Sequence, residues 1–404
     1  MNSKIYFLFL LLIFEYQSFI FAQNNAPFGE LVWSFKTNGM IIGSAVANEN
    51  AVFFGSTDGN IYAVTKNNGT LLWKYATSSP VTSTPTVFND TLFVLSENGY
   101  LYSLHAQNGS FLWSFKTNGE HKIDVWDYYL SSPVVSNEKI IFGSGDSCIY
   151  AVNKQDGKLI WSYKTQNIVH AVPVVENGVV YIGSYDGYFY AINEMNGSLI
   201  WKFKTVGDRW FPSGDIQKGA TLAYGSIYFG SRDFNIYALE KAHGYANWNM
   251  KELGSWVVAT PIVKDSVLYV GTSDSHHFYA MDAFSGEVLW KTDVPLNVFG
   301  ECLVVDGSVV FGCFDGKLYK LNKTNGIVEG MFSTKLSELN KHLIFSEENQ
   351  IHADIYERFS DIEKIYETIL SLGSILSTPI ICNNVIYFGS ADNYFYALKL
   401  EKEN

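Results

Sequence analysis

The stretch DGYFYAINEMNGSLIWKFKT, residues 186–205, recurs along the chain in closely related forms. It combines an Asp-Gly pair, a short run of alternating apolar and polar residues, an Asn-Gly pair and a tryptophan. Asp-Gly and Asn-Gly are typical of tight hairpin turns, because these residues adopt positive φ at little steric cost. The alternating run between them is typical of a half-buried strand. The stretch therefore predicts a pair of antiparallel strands joined by a turn.

The number and length of the repeats predict the architecture of the chain. Seven further copies occupy residues 57–77, 97–117, 145–165, 232–252, 273–293, 314–334 and 391–404. Another predicted hairpin precedes each copy, for example residues 131–146. Four short antiparallel strands in a repeat of about 42 residues are typical of one β-propeller blade.

The two ends of the repeat array are incomplete in complementary ways. The last copy ends at Leu400 before any tryptophan strand, whereas residues 29–39 contain a tryptophan strand without the hairpins that normally precede it. Joining the two completes an eighth blade and removes exposed sheet edges, which otherwise promote aggregation. The sequence thus predicts an all-β, eight-bladed propeller over residues 29–404, closed by its own chain ends.

A tryptophan recurs in the last strand of seven blades, at a fixed distance from a glycine. These residues are Trp33, Trp73, Trp113, Trp161, Trp201, Trp248 and Trp290, and Gly330 takes the place of the eighth. The regular spacing predicts that they pack between neighbouring blades. The alternative is a set of exposed residues that stack on a ligand.

The charge and composition of the chain argue against a nucleic-acid partner. The chain has 404 residues, of which 16% are aromatic and 17% charged, with a net charge of -12. An acidic surface with only three arginines repels phosphate backbones, so nucleic acid is not an expected partner. We expect a monomeric propeller.

The N-terminus resembles a secretory signal peptide, predicted to cover residues 1–22. Lys4 precedes the apolar run Ile5–Phe14, and Ala22 offers a cleavage position. The run is shorter than the roughly 20 residues of a membrane span. We therefore expect a secreted or periplasmic protein without a membrane span.

Three segments resemble the tryptophan-docking motif A-x-D/N-x-x-x-G-x-x-x-W of the pyrroloquinoline-quinone-type propeller family. They are AVNKQDGKLIW (151–161), AINEMNGSLIW (191–201) and AMDAFSGEVLW (280–290). The family contains quinoprotein alcohol dehydrogenases and also non-catalytic propellers, notably the BamB lipoprotein of the outer-membrane β-barrel assembly machinery. The chain departs from the enzymes because it has no adjacent cysteine pair, and from the lipoprotein because no lipid-accepting cysteine follows Ala22.

Functional residues are expected where the repeat is interrupted, in residues 119–132, 206–219, 254–258 and 299–303. In a propeller these loops share one face with the turns between the second and third strands, which we call the channel face. The candidate ligand pocket consists of Trp126, Tyr128, Arg209, Trp210, Arg232, Trp256 and Glu301. Arginines beside aromatic rings suit an anionic planar ligand or a peptide. The alternative is that these loops plug the channel and satisfy one another.

Residues 335–372 form an insertion between blades seven and eight in which the period changes. Apolar residues recur at intervals of three and four, which predicts an amphipathic helix; they are Ile351, Ile355, Phe359, Ile362, Ile365, Tyr366 and Ile369. The insertion is expected to cover the channel, to receive a partner or to pack on the side of the propeller.

Cys302 and Cys313 flank a predicted hairpin and either form a diagonal disulfide or carry free thiols.

Two functions follow from these features. The leading hypothesis is a non-catalytic scaffold, with no catalytic residue, cofactor or metal, that binds a protein or peptide through the channel-face loops or the insertion. The alternative, implied by the resemblance, is a dehydrogenase that uses pyrroloquinoline quinone with calcium. In that case Arg209 and Arg232 would hold the quinone carboxylates, a tryptophan would stack on the ring, and Glu301 or Asp215 would be the base or a calcium ligand.

Overall fold

The computed structural model describes residues 28–400 except Glu348 and Ser360. The predicted signal peptide, residues 1–22, lies outside the described residues. Within them, 32 strands form eight four-stranded antiparallel sheets. The predicted eight-bladed all-β propeller is confirmed.

The strands follow one another regularly along the chain. Blades 1 and 2 contain β2 (Val46–Ala47), β3 (Ala51–Gly55), β4 (Asn60–Thr65), β5 (Leu71–Ala76), β6 (Thr86–Phe88), β7 (Thr91–Ser96), β8 (Tyr100–His105) and β9 (Phe111–Lys116). Blades 3 and 4 contain β10 (Val134–Ser136), β11 (Lys139–Gly143), β12 (Cys148–Asn153), β13 (Leu159–Lys164), β14 (Val174–Glu176), β15 (Val179–Gly183), β16 (Tyr188–Asn193) and β17 (Leu199–Lys204). Blades 5 and 6 contain β18 (Thr221–Ala223), β19 (Ser226–Gly230), β20 (Asn235–Glu240), β21 (Ala246–Lys251), β22 (Ile262–Lys264), β23 (Val267–Gly271), β24 (His277–Asp282) and β25 (Val288–Asp293). Blades 7 and 8 contain β26 (Leu303–Val305), β27 (Ser308–Gly312), β28 (Lys317–Asn322), β29 (Val328–Ser333), β30 (Ile380–Cys382), β31 (Val385–Gly389), β32 (Tyr394–Lys399) and β1 (Glu30–Lys36).

Blade 8 closes the ring as predicted. Its strand order is β1-β32-β31-β30, so the first strand of the chain is the outer strand of the last blade. β1 runs antiparallel to β32, with Trp33 opposite Ala397. The closure gives the backbone of β32 hydrogen-bonding partners on both sides.

The core lies in the second and third strands of each blade, and apolar faces of neighbouring blades pack together. β4 is buried over Ile61–Val64, whereas the outer strand β5 is mainly exposed. Phe54 of blade 1 stacks on Phe395 of blade 8 with ring centroids 4.1 Å apart. Blades 6 and 7 repeat the contact through Phe278 and Phe311, also at 4.1 Å. Stacked aromatic pairs contribute about 0.5–1.5 kcal/mol beyond the burial of their area.

The repeated tryptophans lie against the following blade. Trp33 donates from Nε1 to the carbonyl of Lys66 at 2.8 Å. A Cβ built on Gly69, which has φ of +68°, would lie 2.5 Å from the Trp33 ring. The corresponding contacts join Trp73 to Gly109, Trp113 to Gly157, Trp161 to Gly197, Trp201 to Gly244, Trp248 to Gly286 and Trp290 to Gly326. The stabilising role of this docking stays a prediction, with its test given below.

Blade 7 lacks the tryptophan, and blade 8 lacks the turn on which that tryptophan would dock. Gly330 lies opposite Lys320 in β29. Blade 8 has no turn between its third and outer strands, since these are the two ends of the chain. Instead the Phe28 amide donates to the Met331 carbonyl at 3.1 Å, and the Phe28 side chain is buried in the core between blades 7 and 8.

Seven of the eight blades also contain a polar side-chain pair that the turn chemistry alone did not predict. A residue of the turn before the third strand bonds the hydroxyl of the tyrosine four positions later, as in Asp186–Tyr190 at 2.6 Å. The equivalent pairs are Asp58–Tyr62, Asn98–Tyr102, Asp146–Tyr150, Asp233–Tyr237, Asp315–Tyr319 and Asp392–Tyr396. In blade 6 the turn lacks this residue, and Glu252 of blade 5 accepts from Tyr279 at 2.6 Å instead.

The insertion is helical but discontinuous, in contrast to the single helix predicted. It contains α1 (Lys335–Asn340), a 3₁₀ turn (Lys341–Leu343), α2 (Ile355–Arg358) and α3 (Ile362–Leu370). Phe359 is extended, and the Asp361 side chain accepts from the Lys364 amide at 2.8 Å, which caps the start of α3. None of the described helices is long and apolar enough to cross a membrane.

Candidate functional site

The blade-linking loops and the turns between second and third strands meet on one face. The Thr57 amide, in such a turn, donates to the carbonyl of Met40 in a linker at 2.9 Å. Arg232 and Asp215 repeat this contact at 2.9 Å. The loops at 119–132, 206–219, 254–258 and 299–303 and the insertion contribute to one apolar cluster, whose buried members include Trp126, Tyr129, Trp256, Phe299, Ile365, Tyr366, Ile369 and Leu376.

Arg232 is the central charge of this face, and its bonds are all internal. It is 2% exposed. Nη1 and Nη2 donate to the carboxylate of Asp124 at 2.6 and 3.3 Å, and Nε and Nη2 donate to Gln217 Oε1 at 3.0 and 2.8 Å. The guanidinium also lies 4.4 Å from the ring centroid of Trp256. Its donors therefore hold the loops together and do not face a ligand.

A second buried network surrounds His170. Its Nδ1 lies 2.8 Å from Asp127 Oδ1, and its Nε2 lies 3.3 Å from Glu120 Oε2. The Tyr185 hydroxyl donates to the same Asp127 oxygen at 2.7 Å. Burial lowers the pKa of His170, but the two carboxylates outweigh it and raise the pKa to about 9. The imidazolium therefore cross-links the loop at 119–132 to blade 4.

His170 and Gln217 were missed by the sequence reasoning, although a signal was present. They stand four residues before the starts of β14 and β18, at a repeat position where the neighbouring blades have the apolar Leu130 and Val258. A polar residue at an apolar repeat position usually has a buried partner, because burial without one is costly. Here the partners are carboxylates and an arginine.

Aromatic side chains close the mouth of the channel. Trp126 packs edge-on against Tyr366 of α3 and against Trp256, the latter at 6.4 Å between ring centroids. Phe211 packs edge-on against Trp256 at 5.1 Å. The Tyr129 hydroxyl donates across the channel to the Leu376 carbonyl at 2.9 Å. Through Tyr366, α3 of the insertion thus packs against a loop of the channel face.

The structure brings some of the candidate pocket residues together and separates others. The structure brings Trp126, Arg232 and Trp256 together, but Arg209 is exposed and lies 5.2 Å from the ring centroid of Trp210. Tyr128 packs beside Phe299 of the linker into blade 7 and beside Phe314 of a blade 7 turn. Glu301 is half-buried, and its amide donates to Thr378 Oγ1 at 3.1 Å. These contacts follow the alternative in which the loops plug the channel.

Exposed apolar side chains lie in or next to three of these loops. Leu253 is 85% exposed and Val206 is 68% exposed. Ile123 and Val125, which flank Asp124, are exposed as well. The Lys251–Asp208 ion pair, at 2.8 Å, joins the loop containing Val206 to the strand that ends just before Leu253. We call Ile123, Val125, Val206 and Leu253 the apolar rim.

The residues present do not fit a quinone with calcium. Arg232 is engaged by Asp124 and Gln217, Trp126 packs edge-on against Tyr366, and the Arg232 guanidinium lies over the ring of Trp256. Among the described residues no group of three or more His, Cys, Asp or Glu could hold a metal ion.

Cys302, Cys313 and the adjacent histidines His276 and His277 are all engaged in the fold of blades 6 and 7. The thiols of Cys302 and Cys313 are free and buried, which answers the question left open by the sequence. His276 is buried, whereas His277 bonds Glu252 at 3.2 Å.

The eight four-stranded blades and the repeated Trp–Gly contacts define a pyrroloquinoline-quinone-like propeller protein. The model of the family described as "Outer membrane protein assembly factor BamB" matches residues 21–125, 124–210 and 191–338. The chain therefore belongs to the BamB family. No curated protein matches the chain in sequence.

Solved structures share the fold at low sequence identity. BamB from Moraxella catarrhalis has a TM-score of 0.69 at 17% identity and covers 93% of this chain and 98% of its own. A europium-containing methanol dehydrogenase has a TM-score of 0.68 at 12% identity, with 92% of this chain and 93% of its own covered. The computationally designed Ika8 protein has a TM-score of 0.69 at 15% identity, with 92% and 100% covered. Because the fold serves such different proteins, it does not by itself assign a function.

Proposed function

We propose that this protein is an exported, non-catalytic scaffold that binds a protein partner on its channel face. The observation that carries the proposal is the contrast between the saturated polar groups of the plug and the exposed apolar rim around it. Asp127 pairs with His170 and Arg232 pairs with Asp124, so these charged groups are engaged within the plug. The description of the family, outer membrane protein assembly factor, supports a component of that assembly as the partner.

The apolar rim has the properties of a protein-binding surface. Apolar side chains grouped on loops that a rigid scaffold holds in place are typical of interaction sites. Arg209, three residues after Val206 in the same loop, is exposed as well, and arginine is enriched at protein interfaces. The Lys251–Asp208 ion pair and the Asp124–Arg232 contact fix the loops that carry the rim. The partner therefore meets a preformed surface, which reduces the entropic cost of binding.

The dehydrogenase hypothesis has no comparable support. It rests on the fold, and similarity at 12% identity to a methanol dehydrogenase shows the fold alone. Arg232, one of the two arginines that would hold the quinone carboxylates, is already engaged by Asp124 and Gln217.

Site-specific photocrosslinking tests the proposal. A photoreactive amino acid replaces Leu253 on the channel face or, as a matched control, Met195 in the turn between β16 and β17 on the opposite face. Met195 is 78% exposed and so equally accessible. We expect a discrete adduct in the native cells from position 253 only, containing a component of outer-membrane protein assembly by mass spectrometry. Adducts from both positions alike, or from neither, would contradict the proposal.

A further inference from the structure

The face opposite the channel face carries exposed aromatic side chains on blades 5 and 6. Two kinds of turn meet on this face, those between first and second strands and those between third and outer strands. The Lys241 amide, in a turn of the second kind, donates to the Gly225 carbonyl in a turn of the first kind at 2.9 Å. The exposed side chains are Tyr224 at 55%, Tyr245 at 71% and Phe284 at 60%. We call these three residues the aromatic patch.

Tyr224 occupies a backbone position that favours a small polar residue. It is the first residue of the two-residue turn between β18 and β19, and its φ is +51°. A bulky side chain at positive φ is uncommon for steric reasons, and strain of this kind is found mainly at functional positions. Six other blades have an asparagine or aspartate at the same position of the same turn; these residues are Asn89, Asn137, Asn177, Asp265, Asp306 and Asn383.

Phe284 and Tyr245 also depart from the repeat. Phe284 stands two residues before the glycine of its turn, where the other blades have Asn67, Gln107, Gln155, Met195, Ala242 and Thr324. Tyr245 directly follows the glycine of its turn, where the other blades have Thr70, Ser110, Lys158, Ser198, Glu287 and Ile327. Within the described part of the chain, none of the three rings belongs to a hydrophobic core. Packing of the propeller therefore does not account for them.

Surface contacts hold the rings in place. The Ser266 amide of blade 6 donates to the Tyr224 hydroxyl at 3.1 Å. The Tyr224 and Phe284 rings pack together with centroids 5.2 Å apart and an angle of 43° between their planes. The His243 imidazole stacks on the Tyr245 ring at 5.8 Å. Because the rings are already positioned, a ligand that packs on them meets a smaller entropic cost.

Charged groups adjoin the patch at the turn that holds Tyr224. Asp265 precedes Ser266 in that turn, and its side chain is 64% exposed and pairs with Lys323 at 3.1 Å. A pyranose ring has a C–H face that packs on an aromatic ring, and hydroxyls at its edge that bond carboxylate and ammonium groups. An acyl chain has no such hydrogen bonds to offer. Exposed rings beside exposed charges therefore match a sugar better than a lipid.

We propose that the aromatic patch binds a glycan, a chain of β-linked N-acetylhexosamine units. Tyr224 and Phe284 pack on the C–H face of one pyranose ring and on its acetamido methyl group, and Asp265 accepts from the acetamido N–H. Tyr245 packs on another unit of the chain, because a β-linked chain is extended and presents ring faces along its length. The site lies on the face opposite the apolar rim and does not depend on the proposed function.

Calorimetric titration of the full-length protein tests the site. The probe is the hexamer of β-linked N-acetylglucosamine. The comparators are the hexamer of β-linked glucose, which lacks acetamido groups, and the hexamer of α-linked glucose, whose chain coils. We expect saturable heat from the N-acetylglucosamine hexamer and at least fivefold weaker binding of both glucose hexamers. Absence of saturable heat from the N-acetylglucosamine hexamer, or equal binding of either glucose hexamer, would overturn the proposal.

Variants locate the binding on the patch. Tyr224→Asn introduces the residue that other blades have in this turn, and Phe284→Ala removes the ring that packs on Tyr224. Each should weaken binding of the N-acetylglucosamine hexamer at least tenfold. Asparagine tolerates positive φ, so Tyr224→Asn should fold as stably as the wild type, which thermal melting followed by circular dichroism measures.

Met195→Ala is the matched control. Met195 stands at the position of Phe284 in the turn of blade 4 and is 78% exposed, so its replacement should leave binding unchanged. Wild-type binding by folded Tyr224→Asn or Phe284→Ala protein would refute the assignment. A dimer in light scattering that Phe284→Ala dissociates would show that a second copy of the chain covers the patch, and would overturn the proposal as well.

Discussion

The contact between a tryptophan and a glycine of the next blade links neighbouring blades at single-residue scale. Trp161 combines burial, packing on Gly197 and an indole N–H bond to the Glu194 carbonyl at 2.8 Å. A side chain at Gly197, which has φ of +73°, would strain the backbone and collide with the ring. The sequence repeats both residues because neither alone forms the contact.

Replacing this tryptophan should destabilise the propeller. Trp161→Ala removes a large buried ring, and we expect a loss of about 3–5 kcal/mol. Urea denaturation followed by circular dichroism measures it. Ile160→Ala is the control in the same strand, since Ile160 is exposed and its loss should change the midpoint little. Equal effects of the two substitutions would argue against docking.

The His170 network predicts a dependence of stability on pH. The pKa of His170 in the folded protein is about 9, above its ordinary value of 6.5. The protonated form therefore stabilises the fold fully below about pH 6.5, and the contribution disappears as pH rises through 9. About 2.5 pKa units correspond to on the order of 3 kcal/mol.

The difference between wild type and His170→Gln isolates this effect from other titrating groups. Thermal melts from pH 6 to 10 should show the wild type losing its advantage over the variant between about pH 6.5 and 9. An advantage that stays constant over this range, or grows with pH, would contradict the assignment.

At the scale of elements, the insertion is a cap on the channel face. Its ends lie close together, since Thr334 Oγ1 donates to the carbonyls of Leu372 and Gly373 at 3.3 Å. The apolar side chains of its helices pack into the cluster that contains Trp126 and Trp256. The spacing of its apolar residues predicted a helix but not the break between α2 and α3. The break occurs where Asp361 caps the start of α3.

Removing the cap should expose the plug without unfolding the blades. We expect a protein in which residues 336–371 are replaced by a short Gly/Ser linker to keep its strand content and to bind an apolar fluorescent dye more strongly. Tyr366→Ala should produce a smaller increase, because it removes only the ring packed on Trp126. Dye binding equal to that of the wild type would show that the insertion does not cover the channel.

At the scale of the whole molecule, closure by the two chain ends makes the ring continuous. Gly29 lies against the backbone of Lys399, and the Phe28 amide bonds Met331 of blade 7. The N-terminal strand therefore both completes blade 8 and contacts its neighbour. Without it, β32 would be an unprotected edge strand.

Deletion of residues 28–36 should therefore cause association. We expect oligomers by size-exclusion chromatography with light scattering, and a lower melting temperature. The control is a circular permutant in which a short linker joins Leu400 to Phe28 and new termini open between Thr324 and Asn325, since it keeps every strand. A monomeric, equally stable deletion variant would contradict the closure argument.

The fold was predictable from the sequence because the turns and the tryptophans carry local signals that repeat. A turn pair such as Asp186-Gly187 predicts a hairpin in each copy of the repeat. Eight copies of about 42 residues leave few folds other than a propeller. The site was predictable only as a set of loops. Whether Arg232 faces a ligand or Asp124 depends on how loops from different blades meet, and no local period encodes that distance.

The central claim is that the channel face is closed to a quinone and serves as a binding surface. Its most direct test is titration of the purified protein with pyrroloquinoline quinone and calcium, followed by quinone absorbance and by dye reduction with alcohols. We predict no saturable change in absorbance and no dye reduction. Saturable binding accompanied by alcohol-dependent dye reduction would contradict the account.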